Sequence, residues 1–261
     1  MELKQLLEAK VKQYNRVEFI EYDPISIPHK FSNKTDIEIA GYLTSIISWG
    51  RRPAILKSAN KLMEIMGFEP YNFIMNAGKK ELISLETFVY RTFNYDDCLF
   101  ALEGLKGLYS NFKSMEDCAY EHYIKEGSIK DSIVGIRNEI LKTTHLKRSE
   151  KHFANPGSGS AAKRTNMFLR WMIRKDNNGV DFGSWESIPA SALMIPLDVH
   201  SGNTARKLGL LSRKQNDWKS VEELTNRLKE FDPIDPVKYD FALFGIGVFD
   251  NKVISKDQNV T

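Results

Sequence analysis

Residues 35–50 read TDIEIAGYLTSIISWG, and this stretch decides the fold class of the chain. Its apolar residues recur at helical spacing on one face: Ile39, Leu43, Ile46 and Ile47. The pattern predicts a helix over about residues 36–48. Thr35 and Glu38 have the Thr-x-x-Glu spacing of a capping box, which predicts that the helix begins beside them.

The same periodicity continues along nearly the whole chain, interrupted by Gly, Pro, Asn and Asp residues that end each helical stretch. No pair of alternating β-branched runs flanks a hairpin turn, so no sheet is expected. We therefore predict an all-α protein with one helical domain over residues 1–249 and a frayed polar tail at 250–261. The other helices are predicted at 2–14, 53–66, 79–88, 96–112, 116–125, 130–142, 161–174, 199–208, 218–230 and 235–248.

Composition excludes several classes of protein. No apolar run approaches the roughly 18 residues of a membrane span, and the start MELKQLLEAK lacks a secretory signal, so a cytoplasmic protein without a membrane partner is expected. Cys98 and Cys118 are too few for a disulfide scaffold or a four-cysteine metal site and are predicted to be core thiols. The five histidines show no paired-ligand spacing, so no metal site is predicted. A monomer is the default expectation.

Positive charge is concentrated in one segment. Between Lys142 and Lys175 there are nine Lys or Arg residues against a single acid, Glu150, although the whole chain carries a net charge of only +3. Such a block is typical of a surface that binds nucleic-acid phosphates. A solvated, lysine-rich loop would give the same composition.

Residues 160–175, SAAKRTNMFLRWMIRK, predict a helix with a basic stripe formed by Lys163, Arg170 and Arg174. Lys163 falls in the first turn, where the helix dipole disfavours a cation and so favours the neutral amine that nucleophilic catalysis needs. A solvated lysine would fit the same position. The two arginines could clamp phosphates, or they could be buried partners of aspartates such as Asp198 or Asp240.

Asp198 follows an apolar run in the stretch IPLDVH, residues 195–200. It directly precedes a helical stretch that ends at Gly209, so it lies where an N-cap lies. A helix cap worth about 1 kcal/mol would account for this carboxylate by itself. His200, two residues later, could bind a backbone phosphate or be a surface imidazole with no ligand.

The succession PGSGSAAKRTNMFLRWM…IPLDVHSGNTARKLGL resembles the helix-hairpin-helix DNA glycosylase superfamily, most of all its 8-oxoguanine glycosylase branch. The resemblance implies an all-α, two-lobed architecture with a nucleic-acid groove between the lobes. It also implies that Lys163 and Asp198 are catalytic. Residues 176–191 are interpreted as an insertion between them.

Further positions follow from the same resemblance. Gly157 and Gly159 would form the hairpin that holds a phosphate, with a monovalent cation bound by its carbonyl groups as the one possible cofactor. Arg164, Arg174 and His200 would also contact nucleic acid. Trp49 and Arg51 lie in a turn that resembles the segment wedged into the duplex, and YDFALFG resembles the helix that lines the base pocket. The last likeness would place Asp240 and Phe244 against a flipped base.

The whole chain also resembles a bacterial family of unknown function that is marked by KR…MFLRWM and PLDVH. That likeness assigns no activity. The expected function is a DNA glycosylase with AP lyase activity, acting on duplex DNA that carries a damaged, flipped base, with 8-oxoguanine as the candidate base. The alternative is a noncatalytic helical DNA- or RNA-binding protein on the same scaffold.

Overall fold

A computed structural model of the protein describes residues 2–250. These residues form α-helices joined by short 3₁₀ turns, and the β-structure among them is limited to isolated bridges such as Tyr90 with Phe93. The all-α prediction is therefore confirmed. The helices are α1 Glu2–Tyr14, α2 Lys34–Ile46, α3 Arg52–Ile65, α4 Pro70–Asn76, α5 Lys79–Ile83, α6 Tyr95–Asn111, α7 Met115–Glu126, α8 Ile129–Leu141, α9 Lys163–Ile173, α10 Val199–Lys207, α11 Trp218–Lys229 and α12 Tyr239–Gly245.

Three parts of the helix pattern differ from the prediction. The helix predicted over 79–88 consists of α5 and a 3₁₀ turn, Ser84–Thr87. Helix α4 was not predicted, because its seven residues are too few for an apolar period to emerge. The helix predicted over 235–248 is divided into a 3₁₀ turn Pro236–Lys238, α12, and a π-helical turn Ile246–Asp250. Sequence periodicity does not distinguish these helical types here, because elements of three to seven residues are too short for a period to emerge.

The capping box predicted for α2 is wrong. Asn33 is the N-cap, and its side chain accepts a hydrogen bond from the backbone N–H of Thr35 at 2.8 Å. Glu38 is instead fully buried, where it accepts hydrogen bonds from Tyr109 Oη (2.8 Å) and Trp185 Nε1 (2.8 Å). Burial raises the pKa of the Glu38 carboxyl, and these hydrogen bonds oppose that rise.

Contacts divide the chain into two compact units, each assembled from separate segments. Among the described residues, the first unit comprises 2–19, Gly159–Gly183 and 189–250. In it, α12 packs against α1 and α10, over a core that includes Phe168, Trp171 and Tyr239. The second unit comprises Ile20–Ser158 and Ser184–Ile188. Its helices α6, α7 and α8 pack together over a core that includes Phe93, Leu105 and Ile136.

Part of the predicted insertion at 176–191 is a structural element of the second unit. Glu116 accepts the backbone N–H groups of Glu186 and Ser187 at 2.7 and 2.8 Å. Glu38 binds the indole of Trp185, which is 1 % exposed. Two carboxylates therefore hold the short segment Ser184–Ile188 in place. The pattern of apolar residues in the sequence does not predict these polar contacts.

Cys98 and Cys118 are buried, as predicted, and burial raises the pKa of each thiol to about 12. None of the helices in residues 2–250 combines the length and the apolar character needed to span a bilayer. Of the predicted polar tail, residues 251–261 lie outside the described residues. Asp250 accepts a hydrogen bond from Tyr14 Oη at 2.5 Å and pairs with Lys10 at 2.8 Å.

Candidate active site

A sharp turn leads the chain into α9. Gly159 has a φ of +89°, a conformation that favours glycine, and its carbonyl oxygen accepts the backbone N–H of Trp218 at 3.0 Å. Ala162, the last residue before α9, also has a positive φ, of +46°, and is 2 % exposed. Such a conformation is strained for a residue with a Cβ atom. The strained turn ends at Lys163, which is the first residue of α9.

Asp198 caps α10, as the sequence predicted. Its Oδ1 atom accepts hydrogen bonds from the backbone N–H groups of His200 (2.8 Å) and Ser201 (2.9 Å). The Ser201 hydroxyl in turn accepts the N–H of Asp198 at 2.9 Å, which completes a capping box. The carboxylate is thus fixed through one oxygen atom.

The two predicted catalytic side chains lie together in the first unit. Lys163 Nζ is 3.8 Å from Asp198 Oδ2, the oxygen that does not accept the cap hydrogen bonds. The side chains of Lys163 and Asp198 are 32 % and 23 % exposed, so solvent reaches both. The cap and the amine therefore use different oxygens of one carboxylate, and the structural and chemical interpretations of Asp198 are compatible.

A buried ion-pair network lies on the same helix as Lys163. Arg170 is 3 % exposed and binds Asp240 and, at 3.3 Å, Asp181. Burial raises the pKa of the Asp240 carboxyl to about 6, although the positive charge of Arg170 acts in the opposite direction. The charges of Asp198 and Lys163 also act on this pKa, so Asp240 is electrostatically linked to the lysine–aspartate pair.

Arg174 is 2 % exposed and binds three aspartates: Asp176, Asp181 and Asp235. This burial argues against the phosphate contact predicted for Arg174. A helical stripe of basic residues indicates only that the side chains share a face, and the part of this face that carries Arg170 and Arg174 is buried. The structure therefore agrees with the alternative prediction for Arg170 and Arg174, in which both are buried partners of aspartates.

Asp181 and Asp235 take part in this network but were not predicted as site residues. Asp181 lies in the stretch that was interpreted as an insertion, and its side chain bridges Arg170 and Arg174. The sequence offered one signal for these two aspartates: two arginines on a helix rich in apolar residues. If such arginines are buried, they require carboxylate partners.

The two residues predicted to line the base pocket, Asp240 and Phe244, differ from each other in burial and in contacts. Asp240 is 8 % exposed and engaged by Arg170, as described above. Phe244 is half-buried on α12, where its ring contacts the edges of Phe19 (6.3 Å between ring centroids) and Phe249 (6.2 Å). Both residues therefore lie in the first unit with Lys163.

The predicted hairpin and wedge residues are distributed over the two units. Gly157 lies in the 3₁₀ turn Pro156–Ser158 of the second unit, and Gly159 begins a segment of the first. Trp49 is half-buried in the second unit, stacked on His152 at 5.6 Å between ring centroids, and its carbonyl accepts the Tyr90 hydroxyl.

Three other residues are predicted to contact nucleic acid, and two of them are exposed. Arg51 is exposed and is the N-cap residue of α3 in the second unit. Arg164 is half-buried and directly follows Lys163. His200 is exposed in the first turn of α10.

The basic segment is largely paired with acids. At least six of its nine cations have a carboxylate within 4.0 Å. The pairs are Lys142 with Glu139, Lys147 with Glu150, Arg148 with Asp96 and Asp97, Lys163 with Asp198, Arg170 with Asp181 and Asp240, and Arg174 with Asp176, Asp181 and Asp235. The segment also passes from the second unit to the first at Ser158–Gly159. Its formal charge therefore overstates the charge available to phosphates.

The described residues contain no group of three His, Cys, Asp or Glu side chains arranged to hold a metal ion. At the predicted hairpin, the carbonyl oxygens of Gly159 and Ala161 accept hydrogen bonds from Trp218 N and Asn166 Nδ2. A monovalent cation there would have to share these oxygens with their present donors.

Residues 23–249 match the model of a family described as a protein of unknown function (DUF2400). The chain belongs to this family. The match includes residues of both units, among them Lys163 and Asp198, and it carries no assigned activity. No curated protein and no solved structure matches the chain significantly. The resemblance of this DUF2400 protein to the helix-hairpin-helix glycosylases stays a prediction.

Proposed function

We propose that the protein is a DNA glycosylase with AP lyase activity, which removes a damaged base that has been flipped out of duplex DNA. The proposal combines the resemblance of the lysine helix and the IPLDVH corner to the 8-oxoguanine glycosylase branch with the geometry of the first unit. In the proposed enzyme, Lys163 is the nucleophile, and the carboxylate of Asp198 assists the attack by Lys163.

The observation that carries the proposal is the approach of Lys163 Nζ to Asp198 Oδ2 at 3.8 Å. Both residues stand at the N-terminus of a helix, so backbone elements rather than flexible loops fix their positions. The carboxylate is held by its cap hydrogen bonds and keeps one oxygen for the amine. A nucleophile beside an oriented proton acceptor is the arrangement that amine catalysis requires.

The chemistry would proceed through a covalent imine. The neutral Lys163 amine attacks the anomeric carbon of the sugar, the bond from that carbon to the base breaks, and the base leaves with the bonding electron pair and takes up a proton. Asp198 accepts a proton from the attacking nitrogen and stabilises the positive charge that develops on the sugar. Opening of the sugar ring gives a Schiff base, and loss of the neighbouring carbon-bound proton then expels the 3′ phosphate by β-elimination.

The remaining predicted residues take supporting roles in this proposal. Asp240 and Phe244 would contact the flipped base, which such enzymes read by hydrogen bonds and stacking. Trp49 and Arg51 would contact the duplex at the gap that the base leaves. Other phosphate contacts are assigned to Gly157, Gly159, Arg164 and His200, with a monovalent cation at the hairpin.

Borohydride trapping tests the proposal directly. The wild-type protein is incubated with duplexes that carry 8-oxoguanine, other oxidised bases or an abasic site, and the imine is reduced to a stable adduct. Lys163→Gln should form no adduct, because an amide cannot form an imine. The matched control is Lys214→Gln, which changes an exposed lysine of the same unit and should trap like the wild type.

Each outcome separates the candidates. Trapping by Lys163→Gln would mean that another amine is the nucleophile. Absence of an adduct from the wild type on every lesion, with DNA binding retained, would overturn the enzyme and favour the noncatalytic nucleic-acid-binding protein.

A further inference from the structure

An open cavity of about 340 Å³ lies along α10 in the first unit, next to the cap residue Asp198. Four of its lining residues are spaced three or four positions apart and therefore project from one side of the helix. The cavity is lined by His200, Asn203, Thr204, Arg206, Lys207 and Gly247.

Gly247 brings the π-helical turn close to α10. A Cβ atom at this position would lie 2.8 Å from Thr204 Oγ1, closer than real Cβ atoms approach, and 3.1 Å from the carbonyl oxygen of His200, which is tighter than most such contacts. A larger residue would therefore push the turn away from the helix. Because Gly247 has no side chain, the backbone of the turn lies directly against α10 at one end of the cavity. A side chain at this position would clash with α10.

The cavity has an uncompensated positive charge. Among the residues that the structure describes, neither Arg206 nor Lys207 has a carboxylate partner within 4.0 Å. The guanidinium of Arg206 is oriented by neutral acceptors: the carbonyl oxygens of Arg213 (2.7 Å) and Gln215 (3.2 Å) and the side-chain oxygen of Asn216 (2.7 Å). These neutral groups thus hold the guanidinium of Arg206 in one orientation without neutralising its charge.

The helix dipole does not cancel this charge. The C-terminus of a helix carries about half a negative charge, whereas Arg206 and Lys207 contribute two full positive charges at the same end of α10. At the other end of the cavity, His200 and Asn203 are exposed and can donate hydrogen bonds through imidazole and amide N–H groups. Cations and neutral donors that converge on one cavity are the groups that bind phosphate oxygens.

We propose that this cavity binds the phosphate group of a phosphate ester, through Lys207, Arg206 and the donors of His200 and Asn203. The same chemistry fits a phosphate of a nucleic-acid backbone and the phosphate of a free small molecule. The first source rests on the proposed function: His200 is two residues from Asp198, so a backbone phosphate held here would place the adjoining sugar near the lysine–aspartate pair.

Binding measurements on the full chain test the cavity independently of catalysis. The probes are a duplex with an abasic-site analogue, inorganic phosphate and a nucleoside monophosphate. Lys207→Gln should lower the affinity for the probe that binds by at least about fivefold, which is the loss expected for one charge-assisted hydrogen bond. The matched control is Lys214→Gln, at an exposed lysine of the same unit, which should leave the affinity unchanged.

The three probes separate the sources. A backbone phosphate predicts that Lys207→Gln weakens duplex binding and reduces the slope of log affinity against log salt by about one. A free phosphate ester predicts a loss in nucleoside monophosphate or inorganic phosphate binding while duplex binding is absent or unaffected. If no probe binds, or if Lys207→Gln and Lys214→Gln behave alike, the cavity is not a phosphate site.

The outcome does not depend on the glycosylase proposal. A phosphate site that responds to Lys207→Gln in a protein that forms no borohydride adduct would keep the cavity and overturn the enzyme. Conversely, an adduct with no effect at Lys207 would keep the enzyme and overturn the cavity.

Discussion

Asp198 combines two roles in one side chain, because each of its oxygens faces a different partner. Oδ1 accepts the cap hydrogen bonds of α10, and Oδ2 faces Lys163 Nζ at 3.8 Å. Asn retains a carbonyl oxygen for the first role and loses the negative charge needed for the second. Substitutions at this one residue therefore separate stability from chemistry.

We expect Asp198→Asn to change the free energy of unfolding by less than about 0.5 kcal/mol and to abolish imine trapping. Asp198→Ala should lose trapping and also about 1 kcal/mol of stability, measured by urea unfolding. The control is Asp217→Ala, which removes the equivalent N-cap of α11 in the same unit. It should lose stability and retain trapping. Normal trapping by Asp198→Asn would show that the carboxylate has no chemical role.

Asp240 predicts a pH dependence of stability. Its pKa is about 6 in the folded protein, raised above the ordinary value of 3.8 chiefly by burial. Between these two values the folded chain binds more protons than the unfolded chain, so the contribution of Asp240 to stability falls as pH rises. Asp240→Asn lacks this titration.

The stability of the wild type relative to Asp240→Asn should therefore decrease by about 2 kcal/mol between pH 4 and pH 7, as measured by urea unfolding at each pH. The amide variant need not match the wild type at any single pH, because it also loses the ion pair with Arg170. A difference that is constant or grows with pH would mean that the Asp240 carboxyl is not raised in pKa.

At the scale of elements, the segment Ser184–Ile188 depends on polar contacts rather than on helical packing. The Trp185 indole donates to the buried carboxylate of Glu38, and Glu116 accepts two backbone N–H groups of the segment. Two buried tryptophans allow this hydrogen bond to be measured. Trp171 is also fully buried, but its Nε1 atom has no hydrogen-bond partner among the described residues.

Trp185→Phe should destabilise the protein by about 1–3 kcal/mol more than Trp171→Phe. Both changes remove similar ring volume from a core, but only the first leaves a buried carboxylate oxygen without its donor. Thermal or urea unfolding of the two variants gives the comparison. Equal losses would indicate that Trp185 contributes through its ring alone.

At the scale of the whole molecule, the arrangement of charges limits how strongly the protein can depend on salt when it binds DNA. Pairing with carboxylates neutralises most cations of the segment Lys142–Lys175, including Arg148, which Asp96 and Asp97 hold. Lys151 is exposed. Only cations that neutralise phosphates, and so release the counterions condensed on the DNA, contribute to the salt dependence.

We therefore expect Lys151→Ala to reduce the slope of log affinity against log salt by more than Arg148→Ala does, by up to about one. Fluorescence anisotropy with duplex DNA between low and physiological salt measures both slopes. A larger effect at Arg148 would mean that its aspartates release it on binding. DNA binding with no salt dependence would contradict a phosphate-binding surface altogether.

The sequence by itself determined the local structure. Apolar periodicity predicted most helices, and the IPLDVH stretch predicted the cap at Asp198, because both depend on residues within one or two turns of each other. Local signals also failed where a stronger distant partner competed: Glu38 was expected at a helix start, and contacts with Tyr109 and Trp185 place it in a core.

Only the tertiary structure decided which charges meet. It placed Lys163 beside Asp198, enclosed Arg174 among three aspartates, assigned Ser184–Ile188 to the second unit and formed the cavity along α10. Most residues in these contacts come from different elements, so no local period relates them. In the cavity, the helical period relates the residues of α10, and packing brings Gly247 to them. The free energy of a buried charge depends on its neighbours in space, and packing is what selects those neighbours.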